Sequence, residues 1–225
     1  MFKTSLRPKH IAFNVKDAGY WADINSVSVE SALESRNKRL IESVDFCIKN
    51  KILIFTFILS QFHIENFAQN MDSIVDLLNN LADNPLVHDK RIKVSVLGKW
   101  YDLPSKVVDA IKTVVDKTAD HDQYFLNLCL NYDGQEEILN SLRIILRSIQ
   151  YEKIAPDQLS KQLVKDNLYS SYYIPPDLIV NTHDHTTNGF LLWDSHNSKH
   201  HFSKVEFNDL DKKELKKALD FYQDN

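Results

Sequence analysis

The chain has 225 residues, 43% of them apolar and 26% charged, with a formal net charge of −4. This suffices to bury one large core or two modest ones, and it gives no electrostatic case for nucleic acid or an acidic membrane surface. The longest apolar run, Ile52 to Leu59, is far short of the ~20 residues of a membrane span. The start, MFKTSLRPKH, has no apolar signal-peptide core, and Cys47 and Cys129, far apart in apolar stretches, read as buried free thiols of a reducing compartment. A cytoplasmic protein is expected, one that meets membranes only from outside the bilayer.

Ile11 to Val15 is the first strand expected, followed by a loop holding Gly19 and by Trp21 at the approach to a helix. A strand, a glycine turn and a helix start together offer converging backbone N–H groups to an anion. Ser26 to Glu34 supplies caps and acidic first-turn residues for an amphipathic helix over Leu33 to Asn50. Ile52 to Leu59 is apolar throughout and rich in aromatic and β-branched residues, as a strand covered on both faces must be. Met71, Ile74, Val75, Leu77, Leu78 and Leu81 give Asn70 to Asn84 a helical period, ended by Pro85.

Ile92 to Leu97 is a strand closed by Gly98. Pro104 stands at the first helical position of a helix carrying Val107, Val108, Ile111, Val114 and Val115. Tyr124 to Leu130 is a strand, Asn131 to Gly134 a turn, and Glu136 to Ile149 a helix with acidic residues first and Arg143 and Arg147 late. Asp157 to Lys165 is a short capped helix, Leu178 to Val180 a strand after Pro175-Pro176, and Gly189 to Trp193 a strand or a helix start. Asp209 to Tyr222 is a charged helix with an apolar stripe. Alternating strands and helices, with no repeat and no low-complexity linker, argue for one α/β domain over residues 1–225 around a mostly parallel sheet. Ligands of such sheets bind at the carboxyl ends of the strands, here near Lys16, Phe62 to Asn66, Gly98, Asn131 and Asn181.

Several stretches, in order along the chain, resemble the cis-prenyltransferases, the undecaprenyl diphosphate synthase family. His10-Ile11-Ala12 through Gly19, Trp21 and Ala22 resembles its first signature, H-V-A-(I/F)-I-M-D-G-N-x-R-W-A. Phe62-His63-Ile64-Glu65-Asn66-Phe67 resembles F-S-T-E-N-W, and Arg91 to Leu103 the R-(V/I)-x-(V/F)-I-G-D-x-x-x-L segment. Leu126 to Gly134 is similar to L-N-x-A-(L/V)-N-Y-G-G, Pro176 to Val180 to P-D-L-L-I, and Phe190 to Trp193 to F-L-L-W. The resemblance implies a Rossmann-like fold with a six-stranded parallel core. It also implies prenyl diphosphate ligands at His10, Lys16, Gly19, Trp21, Phe62, Asn66, Asn181 and Lys199. In relatives, the helix over Asn70 to Asn84 and the strand over Ile52 to Leu59 wall a prenyl tunnel.

The family's reacting groups do not carry over. The aspartate that holds Mg²⁺ in the family falls on Lys16, and the glutamate of its S-E-L-Y-F segment falls on Lys199. Mg²⁺ takes hard oxygen ligands, and a lysine repels it, so no Mg²⁺ is expected at the family site and no cofactor is implied. Asp17 stands one place after the lost aspartate. The family's R-T-S-G-E-x-R-x-S-N becomes Asn181 to Gly189, one residue shorter and without arginine, and its G-H-x-x-G is absent from Ala32 to Arg36. Lys16 and Lys199 either bind a diphosphate in the metal's place or are solvated lysines of a decayed site. Glu65 and Asn66, the best preserved polar pair, either orient a phosphate or cap the following helix. His183, His185, His196, His200 and His201 have some of the spacing of a metal site but no accompanying Cys or H-E-x-x-H helix, and read more simply as a histidine-rich surface.

The residues therefore leave catalysis open. One expectation is a non-catalytic subunit of a heteromeric prenyltransferase, paired as a homodimer or with an intact relative, since dolichyl-type systems join an active chain to a degenerate one. The accessory chains usually end in R-x-G, whereas this sequence ends in Tyr222-Gln223-Asp224-Asn225. The alternatives are a transferase or cyclase retooled for Mg²⁺-independent prenyl chemistry, and a binding module for prenyl lipids.

Overall fold

The computed structural model describes residues 7–15, 18–59, 67–182, 186–187 and 189–224. Six parallel strands form one sheet: β1 (His10–Asn14), β2 (Ile54–Ile58), β3 (Ile92–Leu97), β4 (Tyr124–Cys129), β5 (Leu178–Thr182) and β6 (Lys199–Ser203), in the order β3-β4-β2-β1-β5-β6. The helices are α1 (Ala18–Asn25), α2 (Val29–Lys49), α3 (Phe67–Asp83), α4 (Pro85–Asp89), α5 (Ser105–Lys117), α6 (Gly134–Gln150), α7 (Lys161–Asp166) and α8 (Lys212–Asp224). No helix among the described residues is long and apolar enough to cross a membrane.

The alternation of side chains along each strand gives the sheet two different faces. Ile11 and Phe13, Phe55 and Phe57, Ile92 and Val94, Leu126 and Leu128, and Leu178 and Val180 lie on one face. They form a single apolar core with residues of α2, α3, α5 and α8. Phe13 stacks on Phe57 at 4.4 Å between ring centroids, and Phe207 meets both rings edge-on. The other face carries Ala12, Ile58, Cys129 and Ile179 against Tyr132, Tyr173, Phe190 and Leu191. It also holds the buried polar side chains His10, Asn14, Thr56, Asn127 and Asn181 of the central strands.

Capping sets the helix starts. Ser28 accepts from the N–H of Ser31 ahead of α2, Asp133 from those of Gln135 and Glu136 ahead of α6, and Ser160 from that of Leu163 ahead of α7. Several expectations are corrected. Gly19 does not make a loop: it lies in the first turn of α1, so the phosphate-cradling glycine turn is absent at that residue. Pro85 starts α4 rather than only ending α3, because the Asn84 side chain accepts from the N–H of Leu86 and caps a new helix. Pro104 is itself the cap residue of α5. The helix expected over Asp157 to Lys165 is a single 3-10 turn, Pro156–Gln158, followed by α7 starting under its Ser160 cap. Gly189 to Trp193 forms turns, and the sixth strand is Lys199–Ser203.

Two glycines lie where backbones crowd. Gly98, at φ +111°, brings its α-carbon so close to the carbonyl of Leu130 that a β-carbon would sit 2.3 Å from it. A β-carbon on Gly134 would lie 2.1 Å from the carbonyl oxygen of Gly189 and 2.8 Å from Cβ of Leu192, so α6 and the 189–192 turn touch only because this residue is glycine. Gly134→Ala should therefore cost about 1–3 kcal/mol of stability. Urea unfolding checks it, and an unchanged midpoint would refute the contact.

Candidate ligand site at the carboxyl ends of the strands

Two amides dominate the described part of the rim. Asn14 ends β1, Asn181 stands beside it in register on β5, and Asn14 donates from Nδ2 to Asn181 Oδ1 (3.0 Å) and to the carbonyl of Thr187 (3.1 Å). Thr182 donates its hydroxyl to the carbonyl of Asn14 at 3.1 Å. Asn181 is 1% exposed, and its Nδ2 lies 3.4 Å from His200 Nδ1. Where the resemblance places an arginine, a neutral amide is thus committed to protein partners.

At the carboxyl ends of β3 and β4, the N–H of Lys99 donates to the carbonyl of Asn131. Asn131 returns a bond from Nδ2 to the carbonyl of Lys99. Lys99 pairs with Glu136 at 2.6 Å, and this pair and Arg143 hold the Glu136 carboxyl below its ordinary range.

His10 and Lys199 lie at the other end of the sheet. His10 opens β1, 3% exposed, with Nδ1 2.7 Å from the carbonyl of Ile174 and Nε2 2.8 Å from Thr56 Oγ1. A carbonyl only accepts, so Nδ1 carries the proton and Nε2 accepts from the Thr56 hydroxyl. Thr56 in turn accepts from Asn127 Nδ2 at 3.2 Å. This relay needs a neutral imidazole, and burial lowers its pKa to about 4. Lys199 opens β6 in register with Leu178; its ammonium donates to the carbonyl of Tyr222 at 2.9 Å and lies 4.5 Å from the centre of the Tyr222 ring. Trp21, on α1, donates its indole N–H to Asp209 at 2.8 Å.

Lys16, Asp17, Phe62, Glu65, Asn66, His183 and His185 lie outside the described residues. Of the other histidines, His196 lies in a 3-10 turn, and His200 and His201, adjacent in β6, point to opposite faces. His201 packs on Phe221, and burial lowers its pKa. No group of three His, Cys, Asp or Glu among the described residues could hold a metal ion.

Two buried charged clusters are not legible as sites in the sequence. Lys165 donates to Asp194 at 2.5 Å and to the carbonyl of Ser170, and Ser170 donates its hydroxyl to Asp194. Beside them Glu137, 1% exposed, accepts from the Tyr132 hydroxyl at 2.6 Å and from the Ser170 N–H, while burial raises its pKa. These bonds tie α6, α7 and the turns before β6 into one unit. The second cluster surrounds Arg36 on α2, 1% exposed, which donates to Asn70 on α3. The signal for Arg36 is its place between Leu33 and Leu40 on the buried stripe of α2.

The family profile described as "Putative undecaprenyl diphosphate synthase" matches residues 18–225. The geranylgeranyl-diphosphate-specific tritrans,polycis-undecaprenyl-diphosphate synthase of Thermoplasma acidophilum is 31% identical over 226 residues, covering 96% of this chain and 86% of that protein. An isoprenyl transferase of Clostridium perfringens is 27% identical, covering 96% and 87%. Among solved structures, lavandulyl diphosphate synthase from Lavandula x intermedia, in complex with dimethylallyl diphosphate, superposes with a TM-score of 0.92 at 20% identity, over 97% of this chain and 96% of that one. A probable undecaprenyl diphosphate synthase from Campylobacter jejuni gives 0.79 at 17% identity, over 98% and 97%. The fold is that of a prenyltransferase. The chain belongs to the cis-prenyltransferase, or undecaprenyl diphosphate synthase, family.

The relay at His10 predicts a pH dependence. A folded-state pKa of about 4 against an ordinary 6.5 means that the unfolded chain binds the proton more readily. The stabilisation is complete above pH 6.5 and falls as pH drops from there to about 4, by about 3 kcal/mol in all. His10→Gln should flatten the difference in urea stability between pH 7 and pH 4.5; an unaltered slope would show that His10 is not its source. Lys165→Met should cost about 3–5 kcal/mol by stranding a buried carboxylate, and Lys165→Met with Asp194→Leu should recover much of that in the same assay.

Proposed function

We propose that the chain acts in polyprenyl diphosphate synthesis as a non-catalytic subunit, binding a prenyl diphosphate or prenyl lipid and pairing with an intact cis-prenyltransferase. The observation that carries this reading is Lys199. In sequence it takes the place of the family's second metal-binding carboxylate, and at the amino end of β6 its ammonium is engaged by the carbonyl and ring of Tyr222. Lys16 at the first carboxylate position and Asn181 at an arginine position extend the same pattern. A lysine ammonium offers no oxygen to Mg²⁺ and repels it, so the reading requires no divalent metal at either lysine. Dimer formation and contact with the membrane from outside the bilayer are part of the proposal.

A second reading is a transferase or cyclase retooled for small prenyl diphosphates without the family's metal. Arg36 favours it, since a buried cation occupies the last position of the family's G-H-x-x-G. The likeness in fold to lavandulyl diphosphate synthase, which was solved with the small ligand dimethylallyl diphosphate, is consistent with it.

The purified chain, given farnesyl and isopentenyl diphosphates, should make no elongated product with or without Mg²⁺; metal-dependent elongation would defeat the subunit reading. Co-expressed with an intact homologue from the same genome, it should co-purify and change that enzyme's rate. Failure on both counts would also defeat that reading. Lys16→Asp alone should restore no turnover, because Lys199 and the missing arginines remain.

A further inference from the structure

Two histidines meet at the amino end of the edge strand β3, at the opposite end of the sheet from the candidate ligand site. His88 is in the last turn of α4, and His121 lies in the connection between α5 and β4. Their ring centroids are 5.2 Å apart, with the planes at 85°. Each ring is held by a backbone carbonyl: His88 Nε2 donates to that of Ala82 and His121 Nδ1 to that of Ile92, both at 2.9 Å. A carbonyl only accepts, so these nitrogens carry the protons, and in the neutral rings His88 Nδ1 and His121 Nε2 keep their lone pairs. Neither lone pair takes a hydrogen bond from a described residue.

Metal-binding imidazoles are prepared in this way: the nitrogen away from the ion donates to a carbonyl or carboxylate, which fixes the tautomer and the ring. The spacing fits as well. With metal–nitrogen bonds of about 2.0–2.1 Å, a tetrahedral ion lies about 3.2 Å from each ring centre and sets the two centres about 5 Å apart. Imidazole nitrogen suits zinc, copper and nickel, whereas Mg²⁺ takes oxygen. The connection that carries His121 also covers the outer edge of β3, where the Thr118 hydroxyl accepts from the N–H of Val94. An ion shared with His88 would fasten that cover to α4 across 33 residues of chain and guard the open edge of the sheet.

We infer that His88 and His121 together bind a divalent transition-metal ion of the zinc, copper or nickel type. No third His, Cys, Asp or Glu among the described residues joins the pair, so water completes the shell and the ion stays open to exchange. Titration calorimetry of the full chain, first stripped with a chelator, tests this with the chlorides of Zn²⁺, Cu²⁺ and Mg²⁺. Zn²⁺ should bind, Cu²⁺ should bind more tightly, and Mg²⁺ should not bind at this pair. His88→Ala and His121→Gln should each weaken Zn²⁺ by more than about tenfold, whereas His200→Ala with His201→Ala should leave that affinity unchanged. Zn²⁺ should also raise the urea midpoint of the wild-type chain, because the ion bridges the pair only when the chain is folded. It should not raise that of His88→Ala, and this readout stands even if His121→Gln fails to fold. Absence of Zn²⁺ binding, an affinity unchanged by loss of His88, or Mg²⁺ binding with the same dependence on His88 would overturn the site.

Discussion

In a strand buried on both faces a polar atom without a partner is costly, and the architecture is arranged around this constraint at β1. All five of its residues are buried, yet it begins with His10 and ends with Asn14. At the amino end, the Asp177 carboxylate accepts from the N–H groups of Lys9 and His10, and the imidazole joins the carbonyl of Ile174 to Thr56. At the carboxyl end, Asn14 joins Asn181 and Thr187. The segment entering β5 and the turn leaving it are thus both fixed by side chains of β1. The Pro-Asp of the family motif has a structural role here, closing the ladder at its open end.

The faces of the sheet divide the work. The apolar face is a jigsaw of aromatic and branched side chains whose stability comes from area removed from water and from close packing. The polar face carries a hydrogen-bonded row that is costly to disturb, because each lost partner strands a desolvated group. Both ionised clusters, at Lys165–Asp194 and at Arg36, join helices or turns to one another outside the sheet rather than crossing it. At the rim the amide of Asn181 is committed to protein partners, and between α2 and α3 a guanidinium is buried at Arg36. The backbone keeps the family's fold.

What can be read from the residues follows from how strongly each segment states its period. Ile92–Leu97 alternates cleanly between stop signals and has the bounds expected of it, while Asn70 to Asn84 announces its helix through its apolar stripe. Lys199–Ser203 gives no strand signal because four of its five residues are polar, three of them basic, and an edge strand half open to water needs no apolar alternation. Pro85 reads as a stop because the capping role of Asn84 shows only when its side chain is seen to fold onto the next turn. The order of the rim residues along the chain is legible, but their partners are not. Asn181 reads in the sequence as a ligand-binding residue, and only tertiary packing shows its amide, like the guanidinium of Arg36, to be buried and bonded to protein groups.

The strand order has a consequence for how the molecule comes into being. The N–H of His10 meets its Asp177 partner across 167 residues, and β1 lies between β2 and β5. During synthesis β1 can pair with β2 early, but its other edge stays bare until most of the chain has emerged. Until then an apolar, unpaired strand lies open to wrong pairing, the exposure that makes parallel sheets slow to form and prone to aggregate. Removing the last two strands would therefore not trim a periphery. It would open the centre of the sheet, and the segments from residue 178 onward are as integral to the core as the strand that begins it.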